Sequence, residues 1–131
     1  MEYRNAEEMN YFGSDLNKFT NEFCSKEMTT INIDFLGYKR SKKIVRIIES
    51  KHSREKMPPS QREVLEIFAA VFKKLRIVIF DYTFECYIHR GDYPYDISQI
   101  EDLVNGSKFL VDTENLKRFL EFENYEIYSA N

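Results

Sequence analysis

The amino-acid sequence predicts an α/β fold in which a mixed sheet is flanked by helices. Three observations carry that expectation. Ile31, Ile33 and Phe35 alternate with Asn32 and Asp34, and Tyr82, Phe84, Cys86 and Ile88 alternate with Thr83, Glu85, Tyr87 and His89, the period of two that belongs to strands. Ile44-Val45-Arg46-Ile47-Ile48 is apolar on both faces apart from Arg46, as an interior strand requires. Val64, Leu65, Phe68, Val71, Phe72 and Leu75 recur at helical spacing behind Ser60-Gln61-Arg62-Glu63, which reads as a capping box.

The remaining elements fall around these. Asn5 to Phe12 reads as a short helix with Asn5 as cap and Glu8 as its capping-box partner. Beyond Gly13, Ser14 caps a second stretch in which Phe12, Leu16, Phe19 and Phe23 form one apolar stripe. Gly37 to Lys42 is expected to turn the chain into a strand over Lys43 to Lys51, and Met57-Pro58-Pro59 to end it. Arg76 to Phe80 reads as a buried strand and Arg90 to Pro94 as a loop. Ser98 to Glu101 forms another capping box, predicting a short helix that Gly106 closes. A brief strand over Lys108 to Val111 then leads to a last helix capped near Asp112 or Thr113, with Leu116, Phe119 and Leu120 inward. The expectation is one domain over residues 1–131, with a core at about 5–90 and a helical extension at about 95–131.

Composition narrows the class. Hydrophobic residues are 43% of the 131, too many for a disordered chain, and 4 Gly with 3 Pro are too few for low-complexity sequence. No apolar run approaches the roughly 18 residues of a membrane helix, and Met1-Glu2-Tyr3-Arg4 leads into no signal-peptide core. A cytoplasmic protein without membrane contact is therefore expected, with Cys24 and Cys86 as reduced thiols. The net charge of −3 argues against a purely electrostatic nucleic-acid binder. Yet Lys39, Arg40, Lys42, Lys43, Arg46, Lys51, Arg54 and Lys56 crowd one stretch with only Glu49 and Glu55 opposing them. Such a zone either holds a phosphate backbone locally or is a solvated face.

The chemistry-bearing pattern is Asp34, then fourteen residues, then Glu49-Ser50-Lys51. Residues two apart on a strand share a face, so Glu49 and Lys51 point the same way. If the two strands pair as a hairpin, Asp34 approaches Glu49 within the span of an ion. Two carboxylates with water and phosphate oxygens make the hard environment that suits Mg²⁺ or Mn²⁺. An ion there would lower the pKa of bound water and screen charge on a phosphoryl group in transit. Lys51 would orient the water or stabilise that charge. The bland alternative is an ordinary Glu-x-Lys on a solvated strand.

Ile33-Asp34…Glu49-Ser50-Lys51 resembles the motif of the PD-(D/E)xK, or restriction-endonuclease-like, nuclease superfamily. The likeness includes the apolar strand before Glu49 and the polar-capped helix after Lys51, and spans about residues 5–82. In style it is nearest to virus-type replication-repair nuclease domains, where a Ser-Gln element opens that helix as Ser60-Gln61 does here, and to archaeal Holliday-junction resolvases. Ile33 stands where a proline often precedes the aspartate.

The resemblance implies a restriction-endonuclease-like sandwich and Mg²⁺-dependent hydrolysis of DNA phosphodiesters. Asp34 and Glu49 would be ligands, joined by the backbone carbonyl of Ser50. Lys51 would position water, and Gln61 would reach back over the site rather than stand in solvent. An acidic residue from the first helix often joins the set; Glu8 is the choice here, with Asp15 and Glu22 as rivals and a plain capping role equally open to Glu8. Lys39, Arg40, Lys42, Lys43, Arg54 and Lys56 are the candidate phosphate contacts, and small size suggests a homodimer. The alternatives are a non-catalytic nucleic-acid-binding or interaction module on the same fold, or a relative that cuts RNA. His52 follows Lys51 and so points to the opposite face of the strand, a surface histidine or one supporting the site from behind; His89 has no Cys or His at metal-ligand spacing, and Cys24 lacks a nearby His. Tyr38, beside the basic cluster, reads either as a contact to a nucleic-acid strand or as a plain hairpin-tip tyrosine.

Overall fold

The computed structural model describes residues 18–19, 22–27, 35–75 and 81–130. The chain divides into two compact units, Met1–Asn32 and Ile33–Asn131. In the first, Lys18, Phe19, Glu22 and Phe23 are helical, and the Phe19 and Phe23 rings lie 4.9 Å apart, one turn from each other as the stripe predicts. The expected helix at 5–12 lies outside the described residues.

The second unit is an α/β fold built on a six-stranded mixed sheet in the order β1-β2-β3-β4-β5-β6. Strand β1 is Phe35–Lys39, β2 Ile44–Lys51, β3 Thr83–Arg90, β4 Ile97–Asp102, β5 Ser107–Asp112 and β6 Ser129–Ala130. Helix α1 (Pro59–Leu75) joins β2 to β3, which run parallel; every other neighbouring pair is antiparallel. Helix α2 (Thr113–Leu120) follows β5. Parallel strands need a crossover, and α1 supplies it.

Alternation along β2 and β3 sends neighbouring side chains to opposite faces, and the core divides accordingly. Ile47, Cys86 and Ile88 meet Leu65 and Ala69 of α1 with Val104, whereas Ile48, Tyr87, Ile100, Phe109 and Val111 meet Leu116 and Phe119 of α2. The sheet is thus covered by a helix on each face. Strands β2 and β3 are each buried over four successive residues, which is why β2 carries isoleucines on both sides.

Several boundaries differ from the sequence expectation. Gly37 is not in the turn but pairs with Arg46 in the ladder. A Cβ there would lie 3.0 Å from the Phe35 ring and 3.4 Å from that of Phe122, so the glycine makes room for aromatic rings. The turn begins three residues later, in a 3₁₀ segment over Arg40–Lys42, and it is Lys43 that takes the left-handed conformation (φ 54°). Helix α1 begins at Pro59, so Ser60 lies within its first turn and is not the cap. Proline is suited to that first position because its missing N–H has no partner there anyway, and the Gln61 and Arg62 N–H groups donate to the Pro58 carbonyl. Val71 is exposed, and Ala69, unmarked by the hydrophobic pattern, lies against the sheet instead.

The largest correction is at 98–106. The helix predicted there is β4 and the turn into β5, and the segment after 90 contains three strands with a single helix. Ser98, Ile100 and Asp102 are buried in alternation, and the ladder with β5 outweighs the local capping signal. Asp102 Oδ1 accepts from the Val104 and Asn105 N–H groups, and Gly106 adopts φ 76°. Asn105-Gly106 is a strong hairpin signal that the capping-box reading overrode. The cap of α2 is as expected: Asp112 accepts from the Asn115 N–H at 2.9 Å. Leu116 and Phe119 are buried, but Leu120 is not. The strand expected at 76–80 lies outside the described residues. Among the described residues no helix is long and apolar enough to cross a membrane, and Cys24 and Cys86 are free thiols.

Candidate functional site

Glu49 sits near the end of β2 on the face covered by α1, two residues beyond Ile47, and is 2% exposed. Two side chains converge on its Oε1. Gln61 Nε2 donates at 2.7 Å, and Lys51 Nζ lies at 3.3 Å. The first contact depends on where α1 starts. Because the helix opens at Pro59, Gln61 is in its first turn, directly over the strand end. The adjacent Arg62 fixes that turn by a two-pronged bond to Glu101 of β4, at 2.7 and 3.2 Å. That guanidinium holds the Glu101 carboxyl below its usual range.

Lys51 also reaches Glu55 Oε2, at 3.4 Å, and its side chain is only 10% exposed. Glu55 is held in turn by the His52 N–H at 3.1 Å, which keeps its carboxyl ionised to lower pH than usual. Arg90, opposite Lys51 in the parallel register, donates to the carbonyls of His52 and Glu55. Asp92 accepts from the Ser53 N–H at 3.0 Å, and these contacts together fix the loop that follows β2. A buried carboxylate without compensation would be costly, and Lys51 with Gln61 supplies that compensation to Glu49.

The other predicted site residues are placed as follows. Asp34, Glu8 and Asp15 lie outside the described residues. Glu22 is exposed in the N-terminal unit. Among the described residues no three His, Cys, Asp or Glu side chains gather as a metal would require. The candidate phosphate contacts fall into two groups at opposite ends of β2. Lys39, Arg40, Lys42 and Lys43 flank the first turn, whereas Arg54 and Lys56 follow the strand end near Glu49. Six residue steps along the strand separate Lys43 from Glu49, roughly 20 Å. Lys39 Nζ is committed to the Glu121 carbonyl at 2.9 Å. Arg46 belongs to neither group: it is buried, paired with Glu85 and stacked among aromatic rings. Tyr38 lies within β1, its hydroxyl 3.2 Å from that of Tyr82.

Sequence reasoning missed two features. Glu55 as a second partner of Lys51 depends on the turn after β2, which the His52 N–H closes onto the Glu55 carboxylate. The other is a hydrogen-bonded series on the α2 face: Ser50 Oγ lies 2.8 Å from His89 Nδ1, and His89 Nε2 lies 2.9 Å from Ser98 Oγ. No local signal announces it, since Ser50 and His89 meet only through the β2–β3 register. Burial pushes the His89 imidazole below its ordinary value. The folded state therefore binds its proton less readily than the unfolded chain, so this group's contribution is intact above about pH 6.5 and is lost as pH falls through the folded-state value. Thermal unfolding between pH 7.5 and 5 should show a falling midpoint that His89→Gln largely flattens; parallel curves for the two proteins would refute this role. Cys86, whose thiol burial pushes up to about 12, is no nucleophile at neutral pH.

Comparison with protein-family models, curated proteins and solved structures finds no match. The likeness to the PD-(D/E)xK pattern therefore rests on the residues themselves.

Proposed function

We propose that this protein is a small nuclease that hydrolyses phosphodiester bonds, in DNA by the resemblance, with Mg²⁺ or Mn²⁺ held by Glu49 and Asp34. The observation that carries the reading is the meeting of Glu49, Lys51 and Gln61 at one strand end, the three described members of the motif. Asp34 directly precedes Phe35 in sequence, and Phe35 pairs with Ile48, the neighbour of Glu49. The donor chemistry fits a hard cation: Glu49 offers a carboxylate, and Gln61 Oε1 is buried without a hydrogen-bond partner among the described residues. The Ser50 carbonyl would complete the oxygen set.

When bound, such an ion supplies Lewis-acid neutralisation of the phosphoryl charge. Lys51 turns its ammonium from Glu49 toward the attacking water and orients it by donating from Nζ. Gln61 keeps the Glu49 carboxylate in place through its Nε2. Arg54 and Lys56, at the same strand end, hold the phosphate backbone, and Arg40, Lys42 and Lys43 extend that contact along the strand or into a second copy of the chain. Affinity for DNA then falls steeply with salt.

A second reading, a non-catalytic module, draws on the fact that Lys51 and Gln61 already occupy Glu49 Oε1. Metal-linked stability separates the two. A nuclease of this kind is stabilised by Mn²⁺, by about 2.7 kcal/mol at a hundredfold excess over the dissociation constant. Asp34→Asn and Glu49→Gln should each remove that shift in the unfolding midpoint. No Mn²⁺-linked shift in the parent protein would leave the module reading standing.

A further inference from the structure

The face of the sheet opposite Glu49 carries a cavity of about 260 Å³, walled by apolar side chains of β2, β4 and α2, among them Ile48, Ile100, Leu116 and Phe119. Two polar residues, Ser50 and His89, share the wall. We propose that this cavity binds a neutral small molecule with a flat apolar body of one or two rings and a single hydrogen-bonding oxygen. The proposal is independent of the nuclease reading, because Ser50 and Glu49 are successive strand residues and face opposite ways.

Size sets the body of the ligand. A dry cavity of about 150 Å³ accepts benzene, so the larger space here suits a two-ring molecule. The apolar lining gives the favourable burial, and most of the selectivity must come from the few polar atoms in the wall. Those atoms are organised before any ligand arrives. His89 has a hydroxyl on each ring nitrogen, Ser50 at 2.8 Å and the fully buried Ser98 at 2.9 Å, so the ring cannot turn away. Tyr95 packs edge-on against the ring at 4.9 Å and fixes it from the side.

A serine hydroxyl offers one donor and two acceptor sites. Its bond to His89 uses one of these three, which leaves the Ser50 Oγ with capacity for a further partner at the cavity wall. Both His89 ring nitrogens are taken up by the Ser50 and Ser98 hydroxyls, so the ring offers the cavity no free N–H. Of the cations on this face, Arg46 is committed to Glu85 at 2.8 Å and to the Phe119 carbonyl, and Lys39 to the Glu121 carbonyl at 2.9 Å. The wall thus presents no spare positive charge, and carboxylates or phosphates gain nothing here. A phenolic or carbonyl oxygen does.

Titration of the full chain with 2-naphthol and with naphthalene at pH 7.5 tests this, followed by calorimetry and by the His89 ring resonances. We expect saturable one-to-one binding of 2-naphthol, about five- to tenfold tighter than naphthalene, the worth of one hydrogen bond. Naphthol should also move the His89 resonances. Ser50→Ala removes a single oxygen and should make the two ligands equal. Leu120→Trp, at a partly exposed wall position, should weaken both at least tenfold. Absence of saturable 2-naphthol binding, a preference that persists in Ser50→Ala, or unmoved His89 resonances would each overturn the assignment.

Discussion

Glu49→Gln is expected to lower metal-dependent phosphodiester cleavage by on the order of 10³-fold, while the sheet stays folded. The substitution keeps the shape of the side chain and removes its charge. An amide still accepts from Gln61 Nε2 through its oxygen, so the contact at 2.7 Å persists, and Lys51 keeps Glu55 at 3.4 Å as its counter-charge. What disappears is the anionic oxygen that a hard cation requires. Lys51→Ala should behave differently. It leaves the Glu49 carboxylate buried without its ammonium, so stability falls; metal-linked stabilisation survives or increases, because cation and ammonium compete for one carboxylate. Cleavage is lost nonetheless, for want of the group that orients water. A pair of variants that lose activity alike but respond oppositely to Mn²⁺ is the signature of this division of labour. Measuring unfolding midpoints with and without Mn²⁺ beside cleavage rates separates them.

The second large effect concerns stability. Arg46→Ala is expected to cost about 3–5 kcal/mol, as breaking a buried ion pair from one side does. Arg46 is 5% exposed, bonds Glu85 at 2.8 Å across the parallel register, and donates to the Phe119 carbonyl at the end of α2. Its guanidinium also lies 4.1 Å from the Phe119 ring centroid and 4.3 Å from that of Phe122. Removing it leaves Glu85 without its partner and opens a void beneath α2. Arg46→Lys recovers little, because an ammonium cannot fork between carboxylate and carbonyl while stacking on two rings. Urea unfolding of both variants checks this; a loss below about 1 kcal/mol for Arg46→Ala would mean that the pair is solvated.

What was legible in the chain follows the range of each interaction. Elements marked by local periodicity, β2, α1, β3 and α2 with its Asp112 cap, stand where the pattern puts them to within a residue or two. Boundaries set by packing do not. Gly37 reads as a turn residue, yet its smallness serves two aromatic rings in space. Ser98 to Glu101 carries a helix-start signal that strand pairing overrides. Within the candidate site, Glu49 and Lys51 follow from strand alternation, and the contact with Gln61 was indicated only by the resemblance to a nuclease motif. The Ser50–His89–Ser98 series and the burial of Arg46 were invisible, since both depend on which residues the β2–β3 register sets side by side. Counting charge along the chain places Arg46 with the solvated basic residues; only the fold removes it.

The most direct test of the central claim is to incubate the purified full chain with duplex, single-stranded and branched DNA, and with RNA, in Mn²⁺ and separately in EDTA. The account predicts cleavage of at least one DNA substrate in Mn²⁺, none in EDTA, and none by Asp34→Asn in either. Intact DNA throughout, or cleavage by the parent that Asp34→Asn and Glu49→Gln leave unchanged, would contradict it.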